Sequence, residues 1–308
     1  MQEVTVRVPA TVSNVVCGFD CLGFALSEPF DEMTVRKIDE PTVKITNLDD
    51  FGLPDDPWRN VAGIALLALI ERAGCKNGFE IISTKHIKPG SGIGSSAASA
   101  CGAVVAANKL LGSRFSDPEL VELAMAGEEL ASGSRHADNV APCIYGGFVL
   151  VRSTDPLDIV RLGKPPFWAT VIHPQIEIRT ADARALLPNN VPLRDAVKNW
   201  SNLGAFVAAI NSGDTQLLAR AMTDHIVEPV RSKLIPLFAE VRSASLEAGA
   251  LGGGISGSGP SIFMLSETRV VAKSVEAAMI SVYSRSGIDF LTYVSPISGN
   301  GVTETERR

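Results

Sequence analysis

A glycine-rich segment in the first half of the chain has the residue types that bind phosphate. Three alternating glycines permit backbone angles that other residues avoid, and they let an anion approach the backbone closely. Two serines follow at the start of a small-residue helix, where free N–H groups and the helix dipole favour negative charge. The segment reads Lys88-Pro89-Gly90-Ser91-Gly92-Ile93-Gly94-Ser95-Ser96-Ala97-Ala98-Ser99. It therefore predicts a phosphate-binding loop, and the alternative is a tight structural turn before a buried alanine-rich helix.

Two common phosphate motifs do not fit this segment. A Walker A loop requires lysine after its last glycine, but Gly94 is followed here by Ser95 and Ser96. A dinucleotide-binding fingerprint requires a third glycine at the place that Ser95 occupies. The loop therefore differs from both of these classes of nucleotide-binding protein.

Phosphoryl transfer also needs a cation, usually magnesium, to stabilise the transferring group. Magnesium prefers oxygen ligands and takes few of them from the protein, and Ser96 offers a hydroxyl. A helical projection of residues 119–131 places Glu129 on the polar face and Glu128 at the edge of the apolar stripe. A carboxylate there is costly without a cation, so Glu128 is the candidate metal ligand. The alternative is that Glu128 reaches out to water.

The segments that must position these residues alternate between strand and helix in the first half of the chain. A capping box of Ser116 and Glu119 marks the start of the helix that carries Glu128. Loops are expected at 132–142 and 156–166, and a frayed tail at 299–308. Strands are predicted at residues 4–9, 24–26, 32–38, 42–45, 79–85, 148–151, 168–173 and 262–265. Helices are predicted at residues 61–73, 96–111, 117–131, 193–210, 215–223, 233–247 and 269–283.

Composition limits the function classes. The chain has 308 residues, of which 45% are hydrophobic and 20% charged, as is typical of one large or two medium folded domains. The net charge of −6 and the scattered basic residues argue against a nucleic-acid-binding protein. The longest apolar run, 61–70, is shorter than the roughly 20 residues that cross a bilayer. The N-terminus has no apolar signal region, so we expect a cytoplasmic protein with reduced cysteines, Cys17 and Cys21 included.

Four segments resemble motifs of the GHMP kinases. The phosphate loop is similar to their Pro-x-Gly-x-Gly-Leu-Gly-Ser-Ser-Ala motif, with Ile93 in place of Leu. A second glycine run at 252–261 resembles the motif whose backbone packs against that loop. Residues 136–142 resemble the His-x-Asp-Asn-Val-Ala-Pro signature of one branch, the homoserine kinases. Residues 9–20 resemble the first motif of that branch, with Val15-Val16 in place of the usual Leu-Gly.

The resemblance implies an α+β fold with two domains. The first would be a ribosomal-protein-S5-domain-2-like domain over residues 1–155, with the phosphate loop at 88–99 and the magnesium-carboxylate helix at 117–131. The second would be a ferredoxin-like α/β-plait domain over residues 156–308, containing the glycine run. The nucleotide would lie between the two domains. A homodimer is common in the family.

The resemblance further implies ATP-dependent phosphorylation of the side-chain hydroxyl of L-homoserine to O-phospho-L-homoserine, a step towards threonine. Asp20 would bind the ammonium, and Arg184 and Arg231 the carboxylate, a group that suits the planar guanidinium. The catalytic residues near the hydroxyl and the γ-phosphate would be Asn14, His136, Asn139 and Thr180. ATP would contact Lys85, Pro89, Gly90, Ser91, Gly92, Ile93, Gly94, Ser95, Ser96, Thr180 and Gly257. Mg²⁺ would bind to Ser96 and Glu128.

Alternatives remain at this point. Arg184 and Arg231 are also compatible with surface helix positions, and His136 with a solvated loop. No catalytic base is assigned, because the family is thought to rely on positioning, although His136 would serve if its pKa were near neutral. The reading of Asp20 favours an amino acid over the substrates of mevalonate, diphosphocytidyl-methylerythritol or shikimate kinases. A noncatalytic regulator of this fold is expected to have lost Ser96 or Glu128, and inhibition by threonine leaves no readable signature.

Overall fold

The computed structural model describes residues 2–305, apart from the side chains of residues 131 and 132. Its strands form two sheets, the first of which contains seven of the described strands. The order in the first sheet is β11-β1-β2-β4-β3, and β5 extends it by pairing with both β2 and β6. Its strands are β1 (Glu3–Ser13), β2 (Leu22–Ile38), β3 (Val43–Asn47), β4 (Gly78–Thr84), β5 (Phe148–Thr154), β6 (Leu157–Gly163) and β11 (Thr303–Glu304).

The second sheet has the order β10-β7-β9-β8, with every neighbouring pair antiparallel. Its strands are β7 (Trp168–Pro174), β8 (Gly252–Ile255), β9 (Ile262–Ser266) and β10 (Phe290–Pro296). The helices are α1 (Val61–Ala73), α2 (Ser95–Leu110), α3 (Asp117–Ser132), α4 (Val140–Tyr145), α5 (Thr180–Ala185), α6 (Leu193–Ser212), α7 (Thr215–Ala221), α8 (Glu228–Arg231), α9 (Phe238–Glu247) and α10 (Arg269–Tyr283).

Helix α2 packs directly on β1 and β2, and α1 and α3 pack on α2. Small residues allow this close packing. A Cβ at Gly102 would lie 2.9 Å from Val8 Cγ2, and a Cβ at Gly127 would lie 2.5 Å from the Val61 carbonyl oxygen. Because Gly127 brings α3 so near to α1, the next residue, Glu128, is held in the interior close to the start of α2.

The start of α3 confirms the predicted capping box. The backbone N–H and the hydroxyl of Ser116 both donate to Glu119 Oε2, at 2.9 and 2.7 Å. A capping box ties the first turn of a helix to the residue before it. The local sequence therefore determines where the helix that carries Glu128 begins.

The two sheets share one continuous hydrophobic core. The Phe24 ring on β2 lies 4.7 Å from that of Phe148 on β5 and 5.6 Å from that of Phe263 on β9, between ring centroids. Aromatic pairs at such distances contribute beyond their buried area. A smaller cluster, which includes Ile172 and Tyr283, lies where α9 and α10 cover the second sheet. The shared core holds the loops of both sheets in one arrangement.

Several local predictions were wrong. The segment 156–166, predicted to be a connector, contains β6, which forms a hairpin with β5 and whose apolar pattern is obscured by flanking prolines. The first residues of the second glycine run form β8, because β9 supplies the pairing partner. The tail, predicted to be frayed, is paired over Thr303–Glu304, which lie beside β1, and its residues 306–308 lie outside the described residues. The segment 132–142 contains the start of α4, and the two short strands predicted within 24–38 are one strand.

Within the described part of the chain, no helix combines the length and the apolar character that crossing a membrane requires.

Candidate active site

A cavity of about 600 Å³ opens where the loops of the two sheets meet. Segments distant in the chain contribute its walls, and most of the predicted site residues are among them. The lining includes Ser13, Asn14, Asp20, Lys85, Pro89, Gly90, Gly92, Gly94, Ser95, Ser96, Glu128, His136, Asp138, Asn139, Arg179, Thr180, Arg184, Arg231 and Gly257. The fold therefore brings the phosphate loop and the predicted substrate residues into one space.

The phosphate loop adopts the backbone that its glycines predict. Gly90, Gly92 and Gly94 have φ angles of 74°, 81° and 73°, in the left-handed region that favours glycine. Two of them also need to lack a side chain. A Cβ at Gly92 would lie 2.6 Å from the Gly259 carbonyl oxygen, and one at Gly94 would lie 2.0 Å from Thr11 Oγ1.

The second glycine run packs against this loop. The Ser256 hydroxyl donates to the Gly92 carbonyl at 2.7 Å, and the Gly257 N–H donates to the Ser13 carbonyl at 3.2 Å. Asn14 Nδ2 donates to the Gly257 carbonyl at 2.6 Å. The loops after β1 and β8 are thereby linked to the phosphate loop and form one rigid floor of the cavity.

Lys85 lies below the first turn of α2. Its ammonium forms an ion pair with Asp31 and donates to the Ser95 carbonyl at 3.2 Å and to Ser99 Oγ at 3.0 Å. The three N–H groups of the ammonium thus all have acceptors. Lys85 lines the cavity, but these contacts mainly hold α2 in place, and a direct contact with the nucleotide stays a prediction.

Two of the predicted nucleotide residues direct their side chains away from the cavity. Ser91 and Ile93 are almost fully buried and do not line it. The Ile93 carbonyl accepts a hydrogen bond from the Thr11 N–H at 3.2 Å. Only the backbone of these two residues is thus suited to contact a phosphate.

Glu128 is buried beside the phosphate loop, with 6% of its surface exposed. Burial raises its pKa to about 7, and the negative charge of Asp138 adds to this rise, whereas a hydrogen bond with Ser96 opposes it. The alternative that Glu128 extends to water is therefore wrong. A buried carboxylate next to a hydroxyl at a helix start is a donor set that suits Mg²⁺. Among the described residues, no three His, Cys, Asp or Glu side chains group as a metal site.

The predicted substrate residues meet at the other end of the cavity. Arg184 Nη2 donates to both carboxylate oxygens of Asp20, at 2.9 and 2.8 Å. His136 Nε2 lies 3.1 Å from the same guanidinium nitrogen, and His136 Nδ1 lies 3.8 Å from Asp20 Oδ1. The negatively charged Asp20 carboxylate and the positively charged Arg184 guanidinium thus face the cavity in direct contact.

Arg231 is buried in this cluster, with 3% of its surface exposed. Its Nε donates to the Ala183 carbonyl at 3.2 Å and its Nη1 to the Gly257 carbonyl at 3.3 Å. The guanidinium carbon atoms of Arg231 and Arg184 lie 5.0 and 5.5 Å from the centroid of the Phe19 ring. Both arginines are held by contacts with the site, and the alternative of a solvated surface position is wrong for the buried Arg231.

The two predicted asparagines connect backbone segments around the cavity. Asn139 Nδ2 donates to Ser13 Oγ at 2.9 Å, and its Oδ1 accepts from Thr11 Oγ1 at 2.7 Å. Asn14 Oδ1 accepts the Asp20 N–H at 2.9 Å. Thr180 Oγ1 lies 3.2 Å from Ser258 Oγ in the second glycine run. These contacts position the side chains between the phosphate loop and the Asp20 cluster.

Sequence reasoning missed Asp138, although it is part of the segment that carries the homoserine kinase signature. Asp138 lines the cavity and is 4% exposed. Burial raises its pKa to about 6, and the charge of Asp20 adds to the rise, while His136 opposes it. Asp138 lies between the predicted site residues His136 and Asn139 in the chain, and this position was the signal that could have identified it. Arg179 was also missed, because a single arginine before a short helix has no distinctive spacing.

The backbone is left-handed at Val15 and Val16, the two residues that replace the usual Leu-Gly of the family motif. Residues Asn14, Val15 and Val16 have φ angles of 69°, 22° and 57°. Valine is a rare residue in this region, where its branched side chain crowds the backbone, at a cost on the order of 1–3 kcal/mol. The buried Val16 side chain packs beside Gly254, whose missing Cβ would lie 3.4 Å from Val16 Cγ2. The valine at position 16 is therefore accommodated in a left-handed conformation by this packing.

Known proteins of one family match nearly the whole chain. Residues 60–147 match the family described as GHMP kinases N terminal domain, and residues 206–285 match GHMP kinases C terminal. The homoserine kinase of Chloroherpeton thalassium is 43% identical over 98% of this chain and 99% of its own length. That of Thermococcus kodakarensis is 40% identical over 94% and 96%.

Solved structures of the same family have the same fold as this chain. A crystal structure of homoserine kinase from Cytophaga hutchinsonii has a TM-score of 0.95 and 49% identity, with 99% of this chain and 98% of that chain covered. Mevalonate kinase from L. major shares the fold at 15% identity, with a TM-score of 0.73 over 96% of each chain. The predicted α+β fold class is confirmed.

Proposed function

This chain belongs to the GHMP kinase family and, within it, to the homoserine kinases, and we propose that its cavity transfers the γ-phosphoryl group of ATP to the side-chain hydroxyl of L-homoserine. One observation carries the proposal: a single cavity joins a glycine loop suited to phosphate to an Asp20–Arg184 pair suited to an amino acid. The product would be O-phospho-L-homoserine, an intermediate on the way to threonine.

ATP use follows from the family, and the phosphate loop is the part that would hold its phosphates. The backbone N–H groups of residues 90–96 and the first turn of α2 favour anions. Ser96 and Glu128 would hold Mg²⁺. The ion would supply positive charge to the phosphate oxygens. The raised pKa of Glu128 fits this role, because a cation would relieve the cost of a buried negative charge.

The zwitterionic end of homoserine would enter between Asp20 and Arg184. These two side chains now satisfy each other, and the ammonium and carboxylate of an amino acid would replace both halves of that pair. Arg231 would be the second donor to the carboxylate, from a position that the Ala183 and Gly257 carbonyls hold. A neutral polyol in that place would separate Asp20 from Arg184 without offering a charge to either, which would weaken its binding.

The residues between the two ends would orient the reacting hydroxyl. Asn14, His136 and Asn139 line the cavity there, and Thr180 lies beside the second glycine run. Phosphoryl transfer depends chiefly on placing the two oxygens in line and stabilising charge. We therefore assign these four residues to positioning the hydroxyl and the γ-phosphate, and we assign no general base.

The finer assignments are also proposals. We divide the chain into domains at residues 1–155 and 156–308, since the second sheet begins at β7, and we assign the enzyme to the cytoplasm.

We propose a homodimer, as the resemblance implies. Helix α6 has an exposed apolar stripe of Leu193, Val197 and Trp200, which is unusual for a monomer surface. Light scattering would give twice the 32.6 kDa of one chain, and a monomer would refute the dimer.

A coupled assay of ADP release with MgATP tests the function. Homoserine, mevalonate, shikimate and galactose are offered in parallel, and the phosphorylated product is identified by mass. Turnover with homoserine alone is expected. Preference for another alcohol would be consistent with a kinase, but it would refute the proposed roles of Asp20 and the two arginines in binding the ammonium and the carboxylate. ATP binding without any turnover would favour a noncatalytic regulator.

A further inference from the structure

The segment 177–180 lies at the boundary between the phosphate loop and the substrate end. Ile178 packs on Gly259, where a Cβ would lie 3.5 Å from Ile178 Cδ1, and Thr180 contacts Ser258. Upstream, the Lys88 ammonium before the phosphate loop donates to the Gln175 side chain. Because the second glycine run packs on Gly92, residue 179 belongs to the part of the cavity wall that this run connects to the phosphate loop.

Arg179 lines the cavity, yet it has no strong partner there. Its Nε lies 3.4 Å from Glu177 Oε1, and the side chains of the two residues are 75% and 78% exposed. An ion pair this exposed contributes little, because water screens both charges. The guanidinium is therefore free to move to a stronger anion at small cost.

Three of the other cations that line the cavity are already engaged. Lys85 is paired with the buried Asp31, Arg184 with Asp20, and Arg231 donates to two carbonyl groups. Arg59 lies in another wall, beside the start of α1. Phosphoryl transfer needs positive charge on the equatorial oxygens of the moving group, and an arginine is often its source.

We propose that Arg179 is a catalytic residue that leaves Glu177 when the nucleotide binds and contacts the γ-phosphoryl oxygens during transfer; this inference rests on the proposed function. In that step the homoserine side-chain oxygen forms a bond to the γ-phosphorus. The bond from this phosphorus to the β,γ-bridging oxygen breaks, and its electron pair stays on ADP. The hydroxyl proton is released to water.

The test compares Arg179→Ala, Arg179→Gln and Arg179→Lys with wild type in the homoserine assay. Loss of a charge that acts in the transition state should lower kcat about 100-fold. Affinity for ADP and KM for homoserine should change less than about threefold. Added guanidinium ion should restore part of the activity of Arg179→Ala, which a purely structural role would not allow.

Arg194→Ala is the matched control, because Arg194 is 83% exposed on α6, pairs with Asp195 and does not line the cavity. It should keep wild-type kcat. The melting temperature of each variant is measured alongside, and unchanged values are expected for these exposed positions. The proposal is refuted if Arg179→Ala and Arg179→Gln keep kcat within about threefold, or if only KM for ATP changes. Wild-type protein inactive on homoserine would instead refute the proposed function.

Discussion

The Ser256 hydroxyl donates a hydrogen bond of 2.7 Å to the carbonyl of Gly92, which lies 164 residues earlier in the chain. The bond joins the second glycine run to the phosphate loop, and Gly92 leaves no room for a side chain between them. The shape of the phosphate site therefore depends on contact between the two sheets. The phosphate loop alone does not determine it.

Gly92→Ala and Gly90→Ala should differ sharply, although both glycines have left-handed φ angles. A Cβ at Gly92 would lie 2.6 Å from a backbone oxygen, whereas one at Gly90 would meet nothing within 4 Å. We expect Gly90→Ala to cost about 1 kcal/mol of stability and to keep activity. Gly92→Ala should lower kcat/KM for ATP by about 100-fold or more. Steady-state kinetics and thermal melting measure both, and equal behaviour would contradict this account of the loop.

Asp20→Asn should weaken homoserine binding and leave ATP binding nearly intact. Loss of the charge removes the partner of the substrate ammonium, which should raise KM for homoserine by about 100-fold. Asp158→Asn is the control, because Asp158 pairs with Arg152 on an exposed strand. Kinetics with each substrate varied in turn distinguish the effects. A rise confined to KM for ATP would place Asp20 at the nucleotide instead.

Glu128→Gln should lower kcat by about 100-fold, because it removes the proposed magnesium carboxylate while keeping the shape of the side chain. Glu129→Gln, one residue along the same helix, is exposed and should have wild-type activity. Magnesium titrations of turnover provide the second measurement, and the Glu128 variant should need more Mg²⁺ for half-maximal rate. An unchanged magnesium requirement would argue that Glu128 is not a ligand.

Glu228→Gln should stabilise the protein at pH 8 and have little effect at pH 5. Burial raises the pKa of Glu228 from 4.5 to about 7, and nearby Asp224 adds to the rise, whereas Arg242 opposes it. Folding thus favours the protonated form, so stability is greatest below pH 4.5 and falls as the pH rises through 7. Glutamine avoids that loss, worth on the order of 2–3 kcal/mol.

Urea unfolding at pH 5 and pH 8 measures this difference for Glu228→Gln, with the exposed Glu267→Gln as control. The control should show the same stability change at both pH values. A Glu228→Gln effect that is equal at the two pH values would mean that the buried carboxyl does not titrate between them.

Local features of the sequence predicted much of this protein. The φ angles of the phosphate loop follow from its glycines, and the start of α3 follows from Ser116 and Glu119. The family motifs identified most of the residues that line the cavity. Such features are readable because backbone preference and helix capping act between residues only a few positions apart.

The tertiary structure decided what depends on distant partners. Asp20 meets Arg184, 164 residues later, only because the first loop and α5 face the same cavity. The strand β6 and the pairing of the tail needed partner strands that no local pattern reveals. Arg179 stands out only when Lys85, Arg184 and Arg231 are seen to be engaged with other groups. Long-range contacts arise from the packing of the two sheets on a shared core, and local spacing in the sequence carries no record of which distant groups that packing brings together.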